Sequence, residues 1–158
     1  MTEMPQTPGK FIPSIFMMYF AMVAGIVIFA LMVIVLTNHE IKQLSFNDPI
    51  LWFVAIISLA FYWISKKIYE SLLGKISKSD LLPEKMRKSV LAHVVRYMPL
   101  EISALAGVVC FLAFSNWAFL LVTAFILLNI YLIIPKKEII LNDLKLTNEE
   151  RKLFEENQ

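Results

Sequence analysis

The part of this chain richest in groups able to do chemistry is the stretch His93-Val94-Val95-Arg96-Tyr97-Met98-Pro99-Leu100-Glu101. On a helix advancing about 100° per residue, His93, Tyr97 and Glu101 follow one another at i, i+4 and i+8, and Arg96 lies on the neighbouring row. An imidazole, a guanidinium, a phenol and a carboxylate on one broad face can relay protons, hold an ion, or fasten one helix to another. Glu101 is followed by Ile102 to Phe114, which carries no charge. A carboxylate inside an apolar span is expensive unless it faces protein or water, which makes Glu101 the candidate for function. The structural alternative is a shallow, hydrated carboxylate that bonds Arg96 or Tyr97 and ties the helix in place.

Elsewhere the chemistry is thin. Only two histidines are present, His39 and His93, and His39-Glu40 stand in a short loop with no further histidine nearby. No metal site is expected. Cys110 is the lone cysteine and lies in an apolar run, so neither an intrachain disulfide nor a cysteine metal site can form. There is no phosphate loop, dinucleotide fingerprint or Gly-x-Ser-x-Gly elbow. The expectation is a noncatalytic chain with no cofactor and no small-molecule ligand.

The elements that must position the polar stretch follow from hydropathy. With 58% hydrophobic and 18% charged residues, gathered into separate runs, the chain is more apolar than a water-soluble domain of its length. A hydrocarbon core about 30 Å thick needs about 20 helical residues, and in lipid only helices satisfy the backbone of such runs. The expected fold is all-α: one integral membrane domain, 1–158, with four transmembrane helices in antiparallel hairpins over 12–36, 49–65, 96–114 and 117–134. The second is opened by Asp48-Pro49, with Gly74 as a left-handed cap beyond it. The third enters the membrane near Arg96, continues a helix opened by Pro83, and is expected to kink near Pro99.

Charge sets the orientation. The segment before the first span, the block 66–96 and the tail 136–152 hold every lysine and arginine but Lys42. The positive-inside bias then puts the basic loop 66–95, the tail 135–158 and both termini on the cytoplasmic side of the cytoplasmic membrane. The basic loop interleaves Glu70, Asp80 and Glu84, so topology and anionic headgroups explain it and no nucleic acid is called for. Thr147-Asn148-Glu149-Glu150 has the form of a capping box and predicts a short surface helix over 148–156.

A hairpin turning about Ser115-Asn116 sets Glu101 opposite Ile130, beside Asn129, with Tyr62 of the second span at similar depth. A Glu101–Asn129 bond is expected, within a polar site of Glu101, Arg96, Tyr97, Asn129 and Tyr62. Small pairs Ala21/Gly25 and Ser103/Gly107 are expected to pack inside the four-helix unit. Apart from the lipid bilayer, the expected partners are further copies or a larger membrane complex. The Arg-x-x-x-Leu-Glu opening at Arg96 to Glu101, with the exit from Pro135 to Leu146, resembles a family of small four-span bacterial membrane proteins of uncharacterised function. The resemblance covers mainly residues 90–150. It implies architecture and no mechanism, leaving an accessory or structural component as the first reading and a proton- or ion-handling component built on Glu101 as the second.

Overall fold

In a computed structural model, residues 8–37 and 44–156 form six helices and no strand. They are α1 (Pro8–Leu36), α2 (Pro49–Gly74), α3 (Leu82–Phe114), α4 (Trp117–Leu132), α5 (Lys137–Asp143) and α6 (Asn148–Glu156). Residues 38–43, with His39, Glu40 and Lys42, lie outside the described residues.

Local chemistry explains where the helices begin and end. The Asp48 carboxylate accepts the Ile50 N–H at 2.9 Å and Pro49, which has no N–H to satisfy, opens α2. Gly74 does not take the expected left-handed form: it is the last helical residue, and Lys75 closes the helix with φ −78°. Between α3 and α4 the chain reverses in two residues. Ser115 adopts φ 51°, and Asn116 caps α4 by accepting the Ala118 N–H at 3.0 Å. The Asn116 side chain also takes both backbone groups of Ser45, accepting its N–H at 3.1 Å and donating to its carbonyl at 2.8 Å. One buried amide thus ties the loop entering α2 to the α3–α4 turn.

The central helix is α3, which packs against α1, α2 and α4. It runs unbroken through Pro99, and the Ser103 hydroxyl donates to the Pro99 carbonyl at 2.9 Å. Buried apolar side chains form three clusters along the bundle. Phe111, Phe119, Val33 and Leu51 meet near the α3–α4 turn; Leu100, Ala104, Tyr97, Ile126 and Ile130 form the middle; Phe11, Ile15, Met86, Ile140, Leu144 and Phe154 close the opposite end. Gly107 lets α4 approach: a Cβ there would run into the Thr123 hydroxyl and stand 3.1 Å from the Phe119 carbonyl. Of the two small pairs, Ser103/Gly107 is buried in this contact, whereas Ala21 and Gly25 face outward with nothing near Gly25.

Three helices, α1 to α3, are long and apolar enough to cross a membrane. The fourth run behaves differently. Its helix stops at Leu132 after 16 residues, about 24 Å, and α5 follows at a bend of 70°, so α4 and α5 count as a fourth span only as a bent pair. The outward surfaces of these helices are covered with side chains such as Phe20, Val35, Phe53, Ile56 and Phe125, each at least 60% exposed. A water-soluble fold does not leave so large a contiguous apolar surface uncovered, and lipid is the solvent that suits it.

The tail is not a loose surface appendage. Phe154 is buried edge-on against Phe11, at 6.2 Å between ring centroids, so α6 docks under α1. The capping box forms as its sequence requires: Thr147 N–H donates to Glu150 at 2.7 Å and Glu150 N–H to the Thr147 hydroxyl at 3.4 Å.

Candidate functional site

The polar stretch of α3 is assembled with residues from three other helices at the end of the bundle closed by the tail. Tyr69 of α2 donates its hydroxyl to Asp143 of α5 at 2.7 Å. The Arg96 guanidinium lies 4.3 Å above the centre of the Tyr69 ring, a cation–π contact made beside the Asp143 charge. His93, 1% exposed, is held between rings, 5.4 Å from Tyr69 and stacked at 6.3 Å on Tyr97. Tyr97 in turn meets Tyr19 of α1 edge-on at 5.6 Å. An aromatic ladder therefore runs from α2 through α3 to α1.

The far end of the ladder satisfies the backbone of α4. A helix leaves its last carbonyls short of intrahelical partners, and the bend after Leu132 ends the regular ladder there. Tyr97 donates to the Ile133 carbonyl at 3.1 Å, and Tyr19 reaches the Ile130 carbonyl at 3.5 Å. Both nitrogens of His93 and the Ser89 hydroxyl one turn before it are buried with no hydrogen-bond partner. Packing, not polar bonding, holds this imidazole.

The five residues expected to form one site are divided by the structure. Arg96 and Tyr97 belong to the ladder. Tyr62 and Asn129 come together in a separate place, the wall of an apolar cleft between α2 and α4. Glu101 is in neither, is half-buried, and forms no hydrogen bond or ion pair among the described residues. The expected Glu101–Asn129 bond does not form, because the Asn129 amide turns back to donate to the Phe125 carbonyl of its own helix at 2.8 Å. The geometric reason lies in the helix: eight residues at about 100° carry Glu101 about 80° round from His93, off the buried line of Leu100, Ala104 and Phe111.

Four participants, Tyr19, Tyr69, Asp143 and Lys85, are not among the residues expected from the sequence. Tyr69 had a usable signal, since Ser58, Tyr62, Ser65 and Tyr69 recur at alternating steps of four and three along α2, the spacing of a helix face packed on a neighbour. Asp143 had none, because its place depends on the 70° bend before α5. In sequence Lys85 belongs to the basic loop 66–95, expected to orient the chain and face anionic headgroups. Its side chain is instead fully buried and donates to both Glu150 oxygens, at 3.1 and 2.8 Å. Burial alone would raise the Glu150 carboxyl, but the Lys85 ammonium and the Thr147 amide and hydroxyl outweigh it and hold the group below its ordinary value. Lys88 pairs with Asp80 at 2.8 Å and Glu84 at 3.1 Å, and its ammonium with the Ser77 N–H holds the Asp80 carboxyl low as well.

These contacts fasten all six helices to one another around apolar packing. Comparison with protein-family models, with curated proteins and with solved structures finds no match to this chain.

Proposed function

We propose that this protein is a noncatalytic component of a membrane assembly in the cytoplasmic membrane, crossing it four times as antiparallel hairpins with both termini on the cytoplasmic side. The observation that carries the reading is the use to which its polar groups are put. Tyr69, Arg96, Tyr97, Asp143, Lys85 and Glu150 are engaged in ties between helices, and the outward surface is apolar. The charge asymmetry supports the orientation, because the basic block 66–96 and the tail share one side whenever the number of spans is even.

Two measurements test it. In a Cys110→Ala background, Asn47→Cys should react with an impermeant thiol reagent in intact cells and Ser77→Cys should not. Labelling of Ser77→Cys would reverse the orientation. Particles extracted in mild detergent should be larger than one chain and carry a stoichiometric second component or further copies. A single chain that supports proton flux in liposomes would overturn the accessory role.

One observation favours a proton- or ion-handling role instead: Glu101 is half-buried among apolar neighbours in sequence and has no polar partner among the described residues. Flux that Glu101→Gln abolishes in a folded protein would select that reading. Loss of stability with no flux in either protein would reject it.

A further inference from the structure

Between α2 and α4 lies a cleft of about 460 Å³, floored by Leu100 of α3 and walled almost wholly by apolar side chains. Trp52 and Phe46 stand toward one end, Tyr62 and Asn129 toward the other. We propose that this cleft holds one acyl chain of an anionic glycerophospholipid whose phosphate sits at Lys66; the proposal rests on the membrane-spanning reading above.

Size, polarity and charge each bear on the occupant. From Trp52 to Tyr62 the helix rises about 15 Å, which is the depth of one leaflet of a core about 30 Å thick. At about 460 Å³ the cleft has room for an acyl chain. The polar end suits the ester region of a lipid. Asn129 uses one amide N–H on the Phe125 carbonyl and has a second to offer an ester carbonyl, and Tyr62 adds a hydroxyl.

Charge complementarity selects an anionic headgroup. Lys66 follows Tyr62 by four residues and so stands one turn further on the same row of α2, where the hydrocarbon ends. It is exposed, belongs to no ion pair among the described residues, and carries its ammonium 5.8 Å from the exposed Trp63 ring, a pairing suited to the headgroup level. A zwitterionic lipid would share the chain and ester contacts and gain less from the lysine.

The test uses the full-length protein in native mass spectrometry with dipalmitoyl phosphatidylglycerol or dipalmitoyl phosphatidylcholine. One phosphatidylglycerol should be retained per chain, about fivefold more than phosphatidylcholine, the ratio equivalent to about 1 kcal/mol for one surface lysine. Lys66→Gln should equalise the two lipids, and Lys78→Gln, an exposed loop residue, should leave the preference intact. Ala55→Phe, which fills the cleft wall, should abolish retention of both. Equal retention in the wild type, an unchanged preference in Lys66→Gln, retention by Ala55→Phe, or a second protein chain bound in place of lipid would each overturn the proposal. The thiol-labelling experiment reports insertion independently, so failure of lipid binding is distinguishable from failure of the membrane reading.

Discussion

The pair Lys85–Glu150 offers the sharpest test of how the tail is held, because its two halves are not equivalent. The lysine side chain is 0% exposed and the glutamate 17%. Lys85→Met therefore removes a buried ammonium in favour of an apolar group of similar length, and the Glu150 carboxylate left behind keeps access to water and its bonds to Thr147. Its expected cost is about 1 kcal/mol, near that of a partly exposed ion pair. Glu150→Ala strands the ammonium where water does not reach, which costs about 3 kcal/mol or more.

The helix itself amplifies the difference. At nine residues α6 is too short to persist alone, so its backbone protection reports docking. Amide exchange measured over 151–156 should accelerate about fivefold in Lys85→Met and about a hundredfold or more in Glu150→Ala. Glu150→Gln, which retains the capping-box geometry, should fall between them and separates the loss of charge from the loss of the cap. Most tellingly, Lys85→Met added to Glu150→Ala should recover protection, since it removes the stranded charge. Equal effects of the two single changes, or no recovery in the double variant, would refute the claim that a buried ammonium governs the tail.

Three further outcomes follow from the same geometry. Gly107→Ala should destabilise the protein by about 1–3 kcal/mol in thermal unfolding, because its methyl meets the Thr123 hydroxyl, and most of the loss should return in a Thr123→Ala background. Asn116→Ala should cost about 2–3 kcal/mol by removing a helix cap and two bonds to Ser45, with exchange rising at 44–48, while Asn116→Asp keeps the cap and costs less. Since the folded Glu150 carboxyl lies below its ordinary 4.5, its contribution is complete above that pH and is lost as pH falls through the lower folded value. Proteolysis after Arg151 and Lys152 by an acid-tolerant protease should therefore increase below about pH 4.5 in the wild type, and this acid step should be diminished in Lys85→Met.

Much of the architecture was legible because it is written in local chemistry. Asp48-Pro49 starts α2, Thr147 with Glu150 starts α6, and Ser115-Asn116 breaks the last long apolar run, each through bonds within a few residues of chain. What was illegible depends on partners distant in sequence. Gly74 can take a left-handed cap, yet the loop 75–81 is fastened by Lys88 to Asp80 and by Lys145 to the Ile76 carbonyl at 2.7 Å, and it leaves α2 without one. Lys85 carries the signature of a basic, headgroup-facing loop until the tail folds over it.

Glu101, Asn129 and Tyr62 stay apart from Arg96 and Tyr97 because matched depth does not fix rotation: Asn129 turns to Phe125 of its own helix, and Glu101 is rotated off the buried face of α3. A straight fourth span would run on to residue 134. Instead α4 stops at Leu132, and the chain bends 70° into α5. That bend turns Asp143 back toward Tyr69 and leaves the carbonyls of Ile130 and Ile133 facing the hydroxyls of Tyr19 and Tyr97. The polar residues of α3 then bind what the bend presents to them, a helix end and a folded-back tail. Glu101, two residues past Pro99 and rotated off that face, is left half-buried and takes no part in the ties between helices.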